Sequence, residues 1–221
     1  MDSVSGVGVI DKGLAVLDAL AAGPLDLHGL QNATGLPRAT AHRLAVALER
    51  HGMVRRDPVG RFCLGFELIR LGRAASDAFP LADIARPTVQ ALRDLTGESA
   101  QLFVREGNAR RCVLSFESTH GLRWIVPQGA LLPLDLGSAG RLLGTPVSRS
   151  SSAHPSVESV EEREPGVASV SAAVLDTDGH IVAAVSLSGP VERLTRSPLG
   201  RFGSDVEHAA RTITADCRSA R

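Results

Sequence analysis

Six arginines lie between Leu36 and Arg61, at positions 38, 43, 50, 55, 56 and 61, against two acids, Glu49 and Asp57. This local excess of positive charge falls on a chain whose formal net charge is zero. Phosphate binding needs such a local excess, not global basicity. Arginine also offers a forked pair of donors that fits guanine O6 and N7, so the same residue type can read bases. A second polar set lies far downstream. Ser138 follows Gly137, and Ser169, Ser186 and Ser188 interrupt apolar runs. A hydroxyl and free backbone N–H groups at a helix start suit a carboxylate. Ser138 reads equally well as a simple N-cap. Val170, Val185 and Leu187 alternate with the serines, so a period of two places Ser186 and Ser188 on one face. Small sheet residues would show the same pattern.

Other chemistries fit less well. Gly137-Ser138-Ala139-Gly140 lacks the GxSxG order of a serine-nucleophile turn, and none of the seven histidines stands as a convincing partner for it. A serine-dependent enzyme is therefore the weakest reading. Cys63, Cys112 and Cys217 show no CxxC or Cys/His spacing, which argues against a zinc site and a disulfide framework. A thiol redox sensor remains an alternative, although no basic or histidine neighbour is adjacent to lower a thiol pKa. Tyrosine is absent and aromatics are few, which argues against a base-stacking platform for single strands. No metal or cofactor is expected. With neither a signal-like start nor a long uncharged apolar run, the expected compartment is the cytoplasm.

The arginines need helices to present them. Asp26 can cap a helix with Leu27, Leu30 and Ala33 on its apolar stripe. Gly35 permits a turn at positive φ, and Pro37 is tolerated at the first position of the next helix. That helix puts Ala41, Leu44, Ala45 and Leu48 inward, and Arg38, Ala39, His42, Arg43, Val46 and Arg50 outward. Val9 to Ala22 reads as an earlier helix with Ile10, Leu14, Leu17 and Ala21 on one face. Asp57-Pro58-Val59-Gly60 is a turn between short β-like runs. Helix, tight turn, polar-faced helix and basic hairpin describe a winged helix-turn-helix over residues 1–64. A linker helix follows over 65–79, where Leu64, Leu68, Leu71, Ala75 and Phe79 form a seam suited to pairing with a second copy.

Residues 80–221 read as a separate α+β domain with a largely antiparallel sheet. Leu81–Leu95 is helical. Ser99–Arg105, Cys112–Phe116, Leu122–Val126 and a short Leu134–Leu136 read as strands. Val147–Glu162 reads as a serine-rich loop. Val167–Leu175 and Ile181–Ser188 form a hairpin around Asp176-Thr177-Asp178-Gly179. A last helix is expected from Val206 to Ile213.

The sequence Thr34-Gly35-Leu36-Pro37-Arg38-Ala39-Thr40-Ala41-His42-Arg43-Leu44 resembles the IclR family of bacterial transcription regulators. So do Gly52-Met53-Val54, Phe62-Cys63-Leu64-Gly65, Gly137-Ser138-Ala139-Gly140-Arg141, the run from Arg163 to Ala172 and the run from Val182 to Pro190. The resemblance implies a GAF-like C-terminal effector domain, a homodimer or dimer of dimers, and a palindromic double-stranded DNA operator. On the outward face and at the start of the second helix, Arg38, Thr40, His42 and Arg43 are the expected DNA contacts, and Arg61 in the wing suits phosphate. The resemblance also implies an effector pocket lined by Ser138, Ala139, Ser169, Ser186 and Ser188. Trp124 is placed to cap that site, although a lone tryptophan is more often a core residue. The wording is most similar to an actinobacterial branch associated with amino-acid biosynthesis, particularly leucine, so the expected effector is a small carboxylate such as an amino acid or its biosynthetic intermediate. The short, serine-rich Thr145–Glu162 segment departs from the family pattern, which has a longer helical stretch there.

Overall fold

The computed structural model describes residues 7–77, 80–144 and 154–220. Phe79 of the expected seam, and residues 145–153 of the serine-rich segment, lie outside the described residues. The chain divides into two compact units, Met1–Phe79 and Pro80–Arg221.

The first unit holds helices α1 (Gly8–Ala21), α2 (Leu27–Thr34) and α3 (Arg38–Arg50), the hairpin β1 (Val54–Arg56) and β2 (Phe62–Leu64), and helix α4 (Glu67–Asp77). Asp26 caps α2, its carboxylate accepting the Gly29 N–H at 2.7 Å. Gly35 ends α2 at φ 67°, a left-handed conformation with a Cβ penalty for other residues. Pro37 is the residue before α3 rather than its first turn. The core joins Val16, Leu20, Leu30, Leu36, Ala41, Ala45, Val54 and Phe62. The α1 stripe therefore differs from the expected one. Val16 and Leu20 are buried, whereas Ile10 and Leu14 are each 54% exposed. Apolar residues occupy more than one face of α1, so periodicity alone does not fix which face packs. Leu64 belongs to β2 rather than to the helical seam.

In the second unit, α5 (Leu81–Thr96) precedes β3 (Ser99–Glu106), β4 (Ala109–Phe116), β5 (Leu131–Pro133), α6 (Ser138–Gly144), β6 (Ser156–Val160), β7 (Val167–Leu175), β8 (Ile181–Pro190), α7 (Val191–Leu194) and α8 (Pro198–Ser219). The six strands form one antiparallel sheet in the order β5-β4-β3-β8-β7-β6. Strand alternation then builds two layers. Ala100, Leu102, Val170, Ala172, Val185 and Leu187 face a core shared with α5 and α8. The alternate residues Phe103, Ala173 and Ala184 join a smaller core with α6.

Four expectations need correction. Leu122–Val126 is not a strand, although the Trp124 carbonyl accepts from Ser99 Oγ at 2.7 Å and ties the segment to the sheet. The short strand is Leu131–Pro133, not Leu134–Leu136, because it is the former that meets β4. Ser156–Val160 is an edge strand rather than loop: its polar residues tolerate an edge, and pairing with β7 supplies the ladder. The last helix begins at Pro198, because proline is accommodated at a helix start and Gly203 is buried where α8 packs.

Candidate DNA-reading face and effector pocket

Arg38, His42 and Arg43 are exposed on α3, and Thr40 is half-buried at its start. Ala41 and Ala45, on the opposite face, are fully buried, so packing fixes which face α3 presents. Neither Arg38 nor Arg43 has an acidic partner among the described residues, leaving both guanidinium groups available. His42 lies edge-on to Phe62, with ring centroids 6.5 Å apart. The wing arginines are more committed. Arg61 pairs with Asp57 at 2.8 Å, and Arg56 pairs with Glu49 at 3.3 Å while stacking over Phe62. Arg55 rests over the exposed Phe66 ring at 5.0 Å and has no ion pair among the described residues, so it is a freer wing cation than Arg61.

The second unit carries a pocket between the β3/β8/β7 face, the start of α6 and the Trp124 segment. Its cavity volume is about 30 Å³, within about 400 Å³ of empty space that includes open solvent. Ser138, Ala139, Ser169, Ser186, Ser188 and Trp124 all line it. Register explains the convergence: Ser169 sits opposite Ser188, and Ser171 opposite Ser186, on adjacent strands. Ser138 Oγ donates to Ser169 Oγ at 2.8 Å and lies 2.7 Å from Ser171 Oγ. Ser171 Oγ donates to Ser186 Oγ at 2.8 Å. Ser171 is thus part of the hydroxyl network, which its in-phase spacing from Ser169 would have shown.

The α6 start differs from the open carboxylate site expected there. Ser138 is 1% exposed, and its amide is directed at Ser169 Oγ, 3.5 Å away. The Gly137 N–H already donates to Glu162 at 3.2 Å. Positive charge enters instead from two residues that sequence reasoning missed, Arg110 and Arg163. Burial, then the neighbouring Arg163 charge, lowers the Arg110 pKa to about 10, with Asp135 opposing; it remains a cation at neutral pH. Burial also lowers the Arg163 pKa, against the pull of Glu164. Arg163 lies over the Trp124 ring at 5.1 Å. No carboxylate lines the pocket.

Residues 9–58 match the IclR helix-turn-helix domain, and residues 156–215 match the C-terminal domain of the bacterial transcriptional regulator IclR. The chain belongs to the IclR family of transcriptional regulators. The Escherichia coli K12 transcriptional repressor IclR is 24% identical over 93% of this chain and 88% of its own length. The regulator KipR of Bacillus subtilis is 31% identical, but the match spans 59% of this chain and 52% of that protein. A transcriptional regulator from Rhodococcus sp. RHA1 shares the fold with a TM-score of 0.76, at 22% identity over 97% of this chain and 100% of that one. An IclR homolog from Microbacterium hydrocarbonoxydans, complexed with 4-hydroxybenzoate, gives a TM-score of 0.76 at 19% identity over 96% of this chain and 99% of that one. This IclR-family protein is a DNA-binding regulator, from a family of regulators rather than enzymes. No helix among the described residues is long and apolar enough to cross a membrane.

The thiol alternative has a direct test. Cys112 is fully buried and donates to the Leu114 carbonyl at 3.1 Å. Burial pushes its pKa up to about 12, so the reactive thiolate is scarce at neutral pH. Titrating the native regulator with an aromatic disulfide reagent at pH 7.5 is expected to leave Cys112 unmodified until the protein unfolds. Rapid labelling of Cys112 in the folded state would restore the redox reading.

Proposed function

We propose that this IclR-family protein binds a palindromic operator as a homodimer or dimer of dimers, and that a small carboxylate in the second unit sets its operator affinity. The observation that carries the ligand class is the pocket lining: two arginines, several serines and no acid. An anion gains from both cations there, whereas a cation would find only neutral acceptors. The fold relative that holds 4-hydroxybenzoate, a compact carboxylate, supports the same class. The resemblance to regulators of amino-acid biosynthesis adds leucine and its precursors to the candidates.

For DNA, α3 is the reading element. Arg38, Thr40, His42 and Arg43 face the bases or nearby phosphates, and Arg61 with Arg55 meets phosphate from the wing. Leu68, Leu71 and Ala75 on α4 supply the dimer contact; Leu71 and Ala75 are exposed. Two-fold protein symmetry would then match two half-sites, spaced by about one helical turn or a multiple of it. Selection from randomised duplexes with the full chain is expected to return such a palindrome, with light scattering showing an even assembly. Recovery of asymmetric sites by a monomer would overturn this reading.

A further inference from the structure

The pocket holds two polar side chains whose hydrogen-bonding capacity the protein itself leaves unused. Arg110 is 2% exposed and Gln101 is fully buried, yet among the described residues Arg110 Nε and Gln101 Nε2 have no partner. Orphaned buried donors of this kind are costly and call for an explanation. The serines differ: Ser138, Ser169, Ser171 and Ser186 each have at least one hydroxyl partner among themselves. Ser188 Oγ donates to Gln101 Oε1 at 3.0 Å, which fixes the amide and leaves its N–H₂ end over.

Arg110 is held in a cradle built for its guanidinium. Its Nη1 donates to the carbonyls of Leu136, at 2.7 Å, and Pro133. A Cβ at position 140 would collide with that same Nη1, so Gly140 gives the group its room. The Phe103 ring lies 5.4 Å beneath. With Nη1 occupied by two carbonyls, the remaining face is the Nε–Nη2 edge. That edge takes a carboxylate side-on through two parallel donors. Among the described residues Arg193 grips Glu98 this way through Nε and Nη2 at 2.5 and 3.0 Å, and Arg111 grips Glu106 at 2.7 and 2.6 Å. For Arg110 no carboxylate of the described residues fills the place.

We infer that the Nε–Nη2 edge of Arg110 anchors the effector's carboxylate, and that Gln101 Nε2 donates to a second oxygen on the same molecule. This rests on the carboxylate-sensing reading and narrows it. The ligand is a carboxylate that carries an oxo or hydroxyl oxygen, not an α-amino acid. An ammonium group offers Gln101 Nε2 and Arg110 only another donor, and the lining holds no acid to receive it. Leucine itself is therefore disfavoured against its 2-oxo counterpart.

The test uses ligands of one carbon skeleton: 4-methyl-2-oxopentanoate, 4-methylpentanoate and leucine, with 4-hydroxybenzoate and benzoate as a second pair. Trp124 is the sole tryptophan and lines the pocket, so its fluorescence reports occupancy in the full chain. For at least one pair, the wild type is expected to bind the oxygen-bearing acid roughly tenfold or more tightly than its plain analogue, the loss reflecting an orphaned donor. Leucine is expected to bind no better than 4-methylpentanoate. Gln101→Leu should erase the preference within the pair, and Arg110→Met should weaken both acids, roughly a hundredfold, through loss of two charge-assisted bonds. Should Arg110→Met fail to fold, Arg110→Lys, which keeps charge without the fork, is expected to show a smaller but clear loss. Equal binding of a pair by wild type and all these variants would overturn the inference while leaving carboxylate sensing intact. Absence of binding by every carboxylate to the wild type would overturn both.

Discussion

Arg43→Ala is expected to flatten the protein's sequence preference while leaving non-specific DNA binding largely in place. The side chain stands exposed on α3, whose inward face is fixed by buried Ala41 and Ala45. It has no acidic partner to release before it can reach a base. A bidentate contact with guanine discriminates by about 1–3 kcal/mol, so roughly 5- to 150-fold should be lost against the matched site. Wing substitutions should behave differently. Arg61→Ala removes a cation already paired with Asp57. It should weaken all sequences alike and reduce the magnitude of the salt slope by at most about one. Arg55→Ala, which breaks no ion pair among the described residues, should do so more fully. Anisotropy titrations of matched and mismatched duplexes at several salt concentrations separate the two behaviours. Identical effects of Arg43→Ala and Arg61→Ala on discrimination would count against α3 as the reading element.

The largest stability loss is expected from Arg193→Met in the second unit. Glu98 is 2% exposed, and Arg193 in α7 holds both its oxygens. Gly189 lets this pair close in, since a Cβ there would approach Glu98 Oε2 to 2.5 Å. Removing Arg193 strands a buried carboxylate, a change that typically costs about 3–5 kcal/mol. Arg193 also donates to the Leu122 carbonyl at 2.9 Å, so the segment carrying Trp124 should loosen with it. Arg111→Met is the comparison, because its pair with Glu106 is exposed and such pairs contribute about 0–1 kcal/mol. Urea unfolding followed by Trp124 fluorescence reads both. Similar midpoints for the two variants would show that the Glu98 pair contributes little.

What the sequence revealed depended on the range of the interactions involved. Turn glycines, the Asp26 cap and the alternation of β7 and β8 are local, and they were legible. The serine face followed from the period of two alone. The phase of α1 was not legible, because apolar residues occupy two sides and only tertiary packing selects Val16 and Leu20. β6 was hidden for a related reason: Ser156 and Glu158 carry no apolar signal, and the strand exists through its pairing with β7. Arg110 was missed although it shares the inward phase of β4 with Cys112. A charged residue on a buried phase was the available signal. Its cradle, however, comes from the carbonyls of Pro133 and Leu136 and from Gly140, more than twenty residues away.

Coupling between pocket and operator is the core of the proposed function. The direct measurement is the operator dissociation constant of the full chain with and without 4-methyl-2-oxopentanoate or 4-hydroxybenzoate, each at a concentration that saturates the Trp124 signal. A ligand that distinguishes DNA-competent from incompetent states should shift that constant by about 5- to 150-fold, in either direction. An operator affinity unchanged while Trp124 reports a filled pocket would contradict the account.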